Sequence, residues 1–223
     1  MPTDAVIVAA GSSTRFGAGD KLTADLRGRP VLAWSLAAFE AADGIGSIVV
    51  VCSAGREAEV ESLGRTWAPT RFQRAVTGGE RRRDSVEAGL RACASRYVAI
   101  HDGARPLVTA DLIARTLAAA DKRSGAIAAL PVTDTIKEVA GGFIAGHPER
   151  GRLYTAQTPQ VVLRQAWLQA AASSDNDETD DAAMLSRLGL EVAIARGDPS
   201  NLKITRPLDL DLARLLLDAR GWS

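Results

Sequence analysis

The chain has 223 residues, 46% of them hydrophobic and 24% charged, and its formal net charge is zero. This composition is typical of a folded globular domain, and the bulk charge gives no indication of a nucleic-acid partner. No apolar run reaches the roughly 18 residues of a membrane span, and the run after the polar residues 1–4 is too short for a signal peptide. Cys52 and Cys93 lie in apolar segments without metal-ligand spacing, which predicts buried, reduced thiols. We therefore expect one cytoplasmic domain over residues 1–223, with neither nucleic acid nor membrane among its partners.

The start of the chain combines an apolar run with a glycine-rich loop. Residues 5–10, AVIVAA, are typical of a strand buried on both faces of a parallel sheet. Residues 11–21 are rich in glycine and carry two cations, Arg15 and Lys21. Such a loop brings backbone N–H groups and positive charge towards a phosphate, although a plain turn with solvated basic residues fits the same local pattern. It is neither a P-loop nor a dinucleotide fingerprint, because Gly11 is followed by SSTRFG.

Apolar runs then alternate with segments of helical spacing. Further strands are predicted over residues 47–52, 72–76, 97–100, 126–132, 158–163 and 191–195. Helices are predicted over 31–42, 55–65, 80–94, 109–122, 164–172, 179–188 and a last segment from Pro207, with Thr109 and Thr179 as N-caps. This alternation predicts an α/β fold with a mainly parallel, twisted sheet flanked by helices.

The alternation breaks between residues 134 and 157. Residues 135–139 alternate in polarity, Gly141-Gly142 marks a turn, and apolar residues follow it. This pattern predicts a β-arm that projects from the domain. A two-stranded ribbon is marginal alone, so we expect the arm to pack against a neighbour, a partner subunit being one candidate.

Four loops follow predicted strands and carry polar or charged residues. They cover residues 11–21, 78–85, 102–106 and 200–203. The carboxyl ends of parallel strands share one edge of an open sheet, which is where such sheets bind ligands. We therefore expect the four loops to converge on one site.

Seven motifs in these loops and beyond them resemble those of one enzyme family. In chain order they are Ala9-Ala10-Gly11 with Arg15 and Lys21, Gly78-Gly79 with Arg81 and Asp84-Ser85-Val86, His101-Asp102-Gly103-Ala104-Arg105-Pro106, Asp134-Thr135, Thr158-Pro159-Gln160, Thr179-Asp180-Asp181, and Asn201-Leu202-Lys203-Ile204-Thr205. Together they resemble 2-C-methyl-D-erythritol 4-phosphate cytidylyltransferases of the non-mevalonate isoprenoid pathway, and they extend over nearly the whole chain.

The resemblance implies a single Rossmann-like nucleotidyltransferase domain. The implied reaction transfers CMP from CTP to 2-C-methyl-D-erythritol 4-phosphate and releases pyrophosphate. The attacking group is an ionised phosphate, so the reaction needs cations and alignment rather than a general base, and the sequence contains no obvious Ser/His/Asp set. The resemblance also implies Mg²⁺, whose ligands the sequence does not identify, and a homodimer through the 134–157 arm with a shared active site.

Site roles follow from the same resemblance. Arg15 and Lys21 are expected to stabilise charge at the α-phosphate, and Lys203 and Arg150 to hold the attacking phosphate. The expected CTP-binding residues are Ala9, Ala10, Gly11, Gly79, Glu80, Ser85, Asp102 and Gly103. The expected residues for the second substrate are Asp102, Arg105, Thr135, Arg150 and Thr158.

Several alternative interpretations of the function and of individual residues remain open. Another polyol phosphate, such as ribitol 5-phosphate, is an alternative substrate, and a catalytically silent nucleotide-binding module is an alternative class of protein. The Arg81-Arg82-Arg83 run is typical of a solvated helix face, the residues Asp180-Asp181 of a helix start, and His101 of a structural histidine. The chain departs from the family pattern at Gly19-Asp20-Lys21-Leu22, where many members have a proline before the lysine, and also at Glu80 and Gly103.

Overall fold

The computed structural model describes residues 2–11, 16–17, 19–173, 178 and 180–221. The elements in these ranges are, in chain order, β1 (Thr3–Ala9), β2 (Asp25–Leu26), β3 (Arg29–Pro30), α1 (Val31–Ala41), β4 (Ile45–Cys52), α2 (Glu57–Trp67), β5 (Phe72–Thr77), α3 (Arg82–Ala92), β6 (Tyr97–Asp102), α4 (Ala110–Ala120), β7 (Gly125–Pro131), β8 (Glu138–Ala140), β9 (Phe143–Gly146), a 3-10 turn (Arg150–Arg152), β10 (Tyr154–Leu163), α5 (Arg164–Ser173), α6 (Asp181–Ser186), β11 (Ala193–Arg196) and α7 (Pro207–Ala219).

Seven of these strands form one sheet in the order β11-β7-β10-β6-β1-β4-β5. Neighbouring strands are parallel except for β10, which runs antiparallel to both β6 and β7. The predicted α/β fold with a mainly parallel sheet is therefore confirmed. The three strands whose carboxyl ends carry predicted site loops, β1, β5 and β6, lie in one half of the sheet together with β4.

Side chains of the central strands alternate between two apolar layers. On β1, Ala5 and Ile7 pack into a core that includes α1 and α4, whereas Val6 packs into the core on the opposite face, with residues of α3, α5 and α6. All three are fully buried, as the period of two in a strand requires when both faces are covered. Helix α7 packs in a third, smaller cluster with Leu26, Trp34 and the segment before β2.

Strand β10 differs from its prediction. It begins at Tyr154 and not near residue 158, so residues 154–157, predicted as part of the arm, pair with β7 in the main sheet. Its register against β7 shifts between Ala156 and Gln160, as in a β-bulge, and this is where Pro159 lacks a ladder N–H. Both edges of β10 are occupied, since it pairs with β6 and β7.

The arm itself is a short ribbon of β8 and β9. Three apolar side chains on it are largely exposed: Val139 at 64%, Phe143 at 80% and Ile144 at 60%. The predicted β-hairpin is thus present between residues 138 and 146. A ribbon of this size with an uncovered apolar face gains little stability by itself.

All helix boundaries lie within two residues of the predicted ones, and the caps of two helices can be compared with their predictions. Thr109 caps α4 as expected, its hydroxyl accepting from Leu112 N at 3.2 Å. The residue that caps α6 is Asp180, whose Oδ1 accepts from Ala183 N at 3.0 Å, whereas the predicted cap, Thr179, lies outside the described residues. None of the helices in the described ranges has the length and apolar character needed to cross a membrane.

Candidate active site

Backbone hydrogen bonds join the predicted site loops at the carboxyl edge of the sheet. Gly78 N donates to Cys52 O at 2.8 Å, Gly103 N to Val8 O at 2.9 Å, and Ile204 N to Ala104 O at 2.8 Å. A Cβ atom on Gly78 would lie 2.6 Å from both Ala10 Cβ and Ser85 Oγ, so only glycine permits this close approach. The predicted convergence is confirmed for the loops at 78–85, 102–106 and 200–203, whose residues Arg82, Asp102 and Lys203 lie together. For the loop at 11–21, the contact shown is that of the preceding residue, Ala10, with Gly78.

Asp102, at the end of β6, is the centre of a group of cations. Lys203 Nζ lies 2.8 Å from Asp102 Oδ2, Arg105 Nε 3.7 Å from the same oxygen, and Arg82 Nε 3.6 Å from Oδ1. We call these four residues the Asp102 cluster. Burial of Asp102 raises the pKa of its carboxyl, but the charges of Lys203 and Arg82 outweigh burial and hold that pKa well below its ordinary value. Asp102 is therefore an anion at neutral pH.

Arg82 connects this cluster to a second buried carboxylate. Its Nη2 lies 2.7 Å from Oδ2 of Asp181, which is only 1% exposed, and the other carboxylate oxygen accepts from Trp167 Nε1 at 3.2 Å. Burial of Arg82 lowers the pKa of its guanidinium, but the two carboxylates outweigh burial and raise it. Asp180 also acts electrostatically on Arg82, so three cations and three carboxylates are gathered at this edge of the sheet.

His101 lies beneath the cluster in a chain of hydrogen bonds. Its Nε2 is 3.2 Å from Arg105 O, and its Nδ1 is 3.0 Å from Thr158 Oγ1. A carbonyl oxygen only accepts, so Nε2 carries the proton and Nδ1 accepts the Thr158 hydroxyl. Thr158 Oγ1 in turn accepts from Asp102 N at 3.1 Å. These bonds fix the 101–105 segment against β10, the structural role predicted for His101.

The loop after β1 is described only in part. Ala9 is 6% exposed and Ala10 is half-buried, whereas Gly11 is exposed. Lys21 is half-buried beside Leu22, which is 4% exposed and packs in the core. The predicted residue Arg15 lies outside the described residues.

The loop after β5 contacts the first turn of α3. Ser85, 3% exposed, donates through its hydroxyl to Gly79 O at 3.4 Å, while Gly79 and Glu80 are exposed. Gly103 is buried behind the Asp102 cluster. Among the predicted CTP-binding residues, Ala10, Gly79 and Ser85 are therefore brought together around Gly78, at the end of the sheet edge nearest β5.

Two predicted residues lie on or beside the arm. Thr135 is exposed, and Arg150 Nη1 donates to Thr133 O at 3.0 Å. Within the described part of the chain, neither residue has a hydrogen bond or ion pair to the Asp102 cluster. The structure therefore brings Asp102, Arg105, Thr158 and Lys203 together but not these two.

Comparison with known proteins gives one consistent family. The family model for 2-C-methyl-D-erythritol 4-phosphate cytidylyltransferase (IspD) matches residues 3–219. The chain belongs to this cytidylyltransferase family. It is 42% identical to the Synechococcus elongatus cytidylyltransferase, over 98% of this chain and 97% of that protein, and 44% identical to the one from Cereibacter sphaeroides, over 97% of each. The crystal structure of 4-diphosphocytidyl-2C-methyl-D-erythritol synthase from Anaerococcus prevotii superposes with a TM-score of 0.86 at 27% identity, over 97% of this chain and 98% of that one.

Sequence reasoning missed one prominent residue of this cytidylyltransferase site. Arg82 was predicted to lie on a solvated helix face with Arg81 and Arg83, but it reaches two carboxylates and is a member of the Asp102 cluster. Asp181 lies at the start of α6 as predicted, but its burial and its ion pair with Arg82 were not predicted. The sequence did contain a signal for Arg82. It lies in the first turn of a helix that directly follows a site loop, and this position faces the sheet edge.

Stability should depend on pH through His101. Burial lowers the pKa of this imidazole from 6.5 to about 4. Between those values the unfolded chain binds more protons, so the free energy of unfolding falls as the pH falls through that window and is level above it. From pH 7 to pH 4.5 we expect a loss of roughly 2.5 kcal/mol. Urea unfolding of the wild type and of His101→Gln at both pH values measures this loss of unfolding free energy. Equal losses in the two proteins would refute its attribution to His101.

Proposed function

We propose that the protein transfers CMP from CTP to 2-C-methyl-D-erythritol 4-phosphate, giving 4-diphosphocytidyl-2-C-methyl-D-erythritol and pyrophosphate. The family match over residues 3–219 supports this activity. The observation that carries it at the site is the Asp102 cluster, where three cations converge on the sheet edge around one carboxylate. Cations that converge from three separate segments suit a reaction that brings two anionic substrates together.

The proposed reaction is an in-line displacement at phosphorus. An oxygen of the substrate phosphate forms a bond to the α-phosphorus of CTP, and the bond from that phosphorus to the bridging oxygen breaks. Pyrophosphate leaves with the electron pair. The nucleophile is ionised at neutral pH, so alignment and charge stabilisation are what the protein has to supply.

We assign the cations to the two phosphates as follows. Lys203, with its side chain 40% exposed, is available to exchange its contact with Asp102 for the substrate phosphate, and Arg150 assists it. Lys21 stabilises charge at the α-phosphate, as does Arg15. Asp102 and Arg105 face the methylerythritol hydroxyls, with Asp102 as acceptor, because its carboxylate is ionised.

Thr158 takes a different role from the one expected. Its hydroxyl hydrogen is used by His101 Nδ1, and one of its lone pairs accepts from Asp102 N. No hydrogen remains for a phosphate oxygen, which only accepts. We therefore propose that Thr158 acts by holding Asp102, whereas Thr135, which is exposed, contacts the phosphate directly.

Cytosine is proposed to bind beside Gly78. Backbone groups of Ala9, Ala10, Gly11 and Gly79, with the Ser85 hydroxyl, offer donors and acceptors of the kind that read a base edge. Glu80, which is exposed, and Gly103, which is buried beside Val8 and Leu32, are the other residues assigned to CTP. The crowding around Gly78 leaves no room for a side chain between these groups.

We propose that Mg²⁺ binds together with CTP. No group of three or more His, Cys, Asp or Glu side chains suited to a metal occurs in the described ranges, and the oxygens of Asp102 face cations. This donor set fits an ion held mainly by triphosphate oxygens and water, which is a common mode for Mg²⁺. Asp102 Oδ2 would become the candidate carboxylate contact once Lys203 has exchanged it for the substrate phosphate. When bound, Mg²⁺ neutralises phosphate charge.

We propose a cytoplasmic homodimer formed through the projecting arm, residues 134–153. The exposed side chains Val139, Phe143 and Ile144 support a protein partner for the ribbon. In the dimer, Thr135 and Arg150 complete the partner's site, which accounts for their separation from the Asp102 cluster. The two cysteines are unpaired and buried, and burial raises the pKa of Cys52 to about 11 and that of Cys93 to about 12, in keeping with inert thiols in a reducing compartment.

Replacing the arm's apolar residues should dissociate the dimer. The triple variant Val139→Ser, Phe143→Ser, Ile144→Ser removes apolar contacts worth at least about 1.5 kcal/mol each, so the dimer dissociation constant should rise at least about a hundredfold. Sedimentation velocity measures this shift. Leu208→Ser on α7, where the side chain is 75% exposed, is the matched control and should leave the dimer intact. A triple variant that still sediments as a dimer at low concentration would contradict the proposal.

The activity is tested by incubating the protein with CTP, Mg²⁺ and each polyol phosphate separately. Pyrophosphate release and a new cytidine diphosphate adduct are expected with 2-C-methyl-D-erythritol 4-phosphate. Activity with ribitol 5-phosphate alone would assign the protein to a different polyol phosphate. Binding of CTP without turnover of either phosphate would identify a silent nucleotide-binding module.

A further inference from the structure

One neighbouring turn contacts both ends of the glycine-rich loop. The turn consists of residues 53–56, between β4 and α2, and is closed by a hydrogen bond from Arg56 N to Ser53 O at 3.2 Å. Ser53 Oγ donates to Ala10 O at 3.2 Å, at the start of the loop. Arg56 forms an ion pair through Nη1 with Oδ2 of Asp20, at the loop's end. The loop is therefore anchored on both sides by the same four residues.

The Arg56 guanidinium is held from two directions. Its Nε and Nη2 donate to Glu59 Oε2 and Oε1, both at 2.9 Å, while Nη1 is occupied by Asp20. The hydrogen bond to Asp20 is the main cause of the raised pKa of Arg56. The side chains of Arg56 and Asp20 are 31% and 25% exposed, so the pair is partly shielded from water. A guanidinium fixed at both edges is a rigid anchor, unlike a single surface ion pair.

Asp20, held by Arg56, in turn holds the residues that follow it. Its Oδ1 accepts from Leu22 N at 3.1 Å, and its carbonyl oxygen accepts from Ala24 N at 3.1 Å. Leu22 is itself buried, and its carbonyl accepts from Leu32 N at 3.0 Å. Lys21 therefore lies between one residue held by Arg56 and another held by the core. The backbone of Lys21 is therefore held on both sides, which constrains the direction of its Cα–Cβ bond.

We propose that Arg56 is a positioning residue for the reaction. Through its ion pair with Asp20, Arg56 sets the direction of Lys21 towards the α-phosphate of CTP. The proposal rests on the proposed function, in which Lys21 stabilises the transition state. In this proposal Arg56 acts through Asp20 and Lys21 and not by contact with a substrate.

Steady-state kinetics of Arg56→Ala tests this role. We expect kcat to fall at least about tenfold, because a small misplacement of a charge-stabilising group is costly. The KM for the methylerythritol phosphate should stay within about twofold, since Lys21 acts on the nucleotide. Arg56→Lys keeps the ion pair with Asp20 and should recover most of kcat. Arg65→Ala, on the same helix and with its side chain 74% exposed, is the matched control and should match the wild type.

Combination with Lys21→Ala separates positioning from general damage. If Arg56 acts through Lys21, the double variant should be no slower than Lys21→Ala alone. A kcat for Arg56→Ala equal to that of the wild type would overturn the inference, as would a further tenfold loss in the double variant. Wild-type activity of Lys21→Ala would instead overturn the proposed role of Lys21. The folded fraction of each variant, measured by circular dichroism, is used to normalise kcat.

Discussion

Lys203→Ala should lower kcat/KM by about 10²- to 10³-fold, the usual cost of removing one donor from a preorganised charge-stabilising site. Lys203 is the cation nearest to Asp102, at 2.8 Å, and has the most exposed side chain among the cations of the Asp102 cluster. Its loss removes the proposed contact to the attacking phosphate. It also leaves Asp102 with only the two longer contacts to Arg82 and Arg105, so the site becomes more repulsive to both substrates. The KM for the methylerythritol phosphate should therefore rise as kcat falls.

The fold should survive this substitution. Lys203 is at the surface and Asp102 keeps two cationic neighbours, so thermal unfolding should shift by no more than a few degrees. Lys203→Arg keeps the charge but not the compact ammonium group, and we expect intermediate activity. Retention of more than a third of the wild-type kcat/KM by Lys203→Ala would exclude the assigned role.

Arg82→Met should damage both stability and activity. It leaves Asp181, 1% exposed, as a buried carboxylate without its cation, and breaking such a pair costs about 3 kcal/mol. For a chain of this size the melting temperature should drop by roughly 6–12 °C. Activity should fall as well, because Arg82 is one of the three cations at Asp102.

A second substitution separates the two effects. Asp181→Asn removes the buried charge but keeps an acceptor for Trp167 Nε1, so the double variant Arg82→Met, Asp181→Asn should recover most of the lost stability. It should not recover activity, since the contact with Asp102 is still missing. Arg91→Ala, on the same helix and with its side chain 67% exposed, is the control. Recovery of both properties together would show that Arg82 has only a structural role.

Local sequence patterns were sufficient to predict the elements at the carboxyl edge of the sheet, where the site lies. An apolar run ending in glycine predicted β1 and the loop after it, because a strand buried on both faces must be apolar throughout. The residues Asp102, Arg105 and Lys203 were chosen by motif, and the structure brings their side chains together. Convergence of the loops followed from the parallel sheet alone.

Other features depend on pairings that local patterns do not contain. The partners of Arg82 are 20 and 99 positions away, so its sequence neighbours, Arg81 and Arg83, suggested only a solvated face. The same holds for Arg56 and Asp20, which are 36 positions apart. The place of β10 between β6 and β7 is a matter of sheet order, which local periodicity does not specify.

The insertion of β10 also has a consequence for synthesis on the ribosome. Strand β6 ends at Asp102, yet the residues of β10 that pair with its free edge are Gln160–Leu163. At ordinary translation rates the residues between them take roughly 3–10 s to make, and during that time the apolar edge Tyr97–Ile100 has no neighbour on that side. Uncovered edges of this kind recruit other strands, so nascent chains have a defined window of aggregation risk. Asp102 also acquires its Thr158 hydrogen bond only when this window closes, so a nascent chain that stops before β10 lacks the completed site.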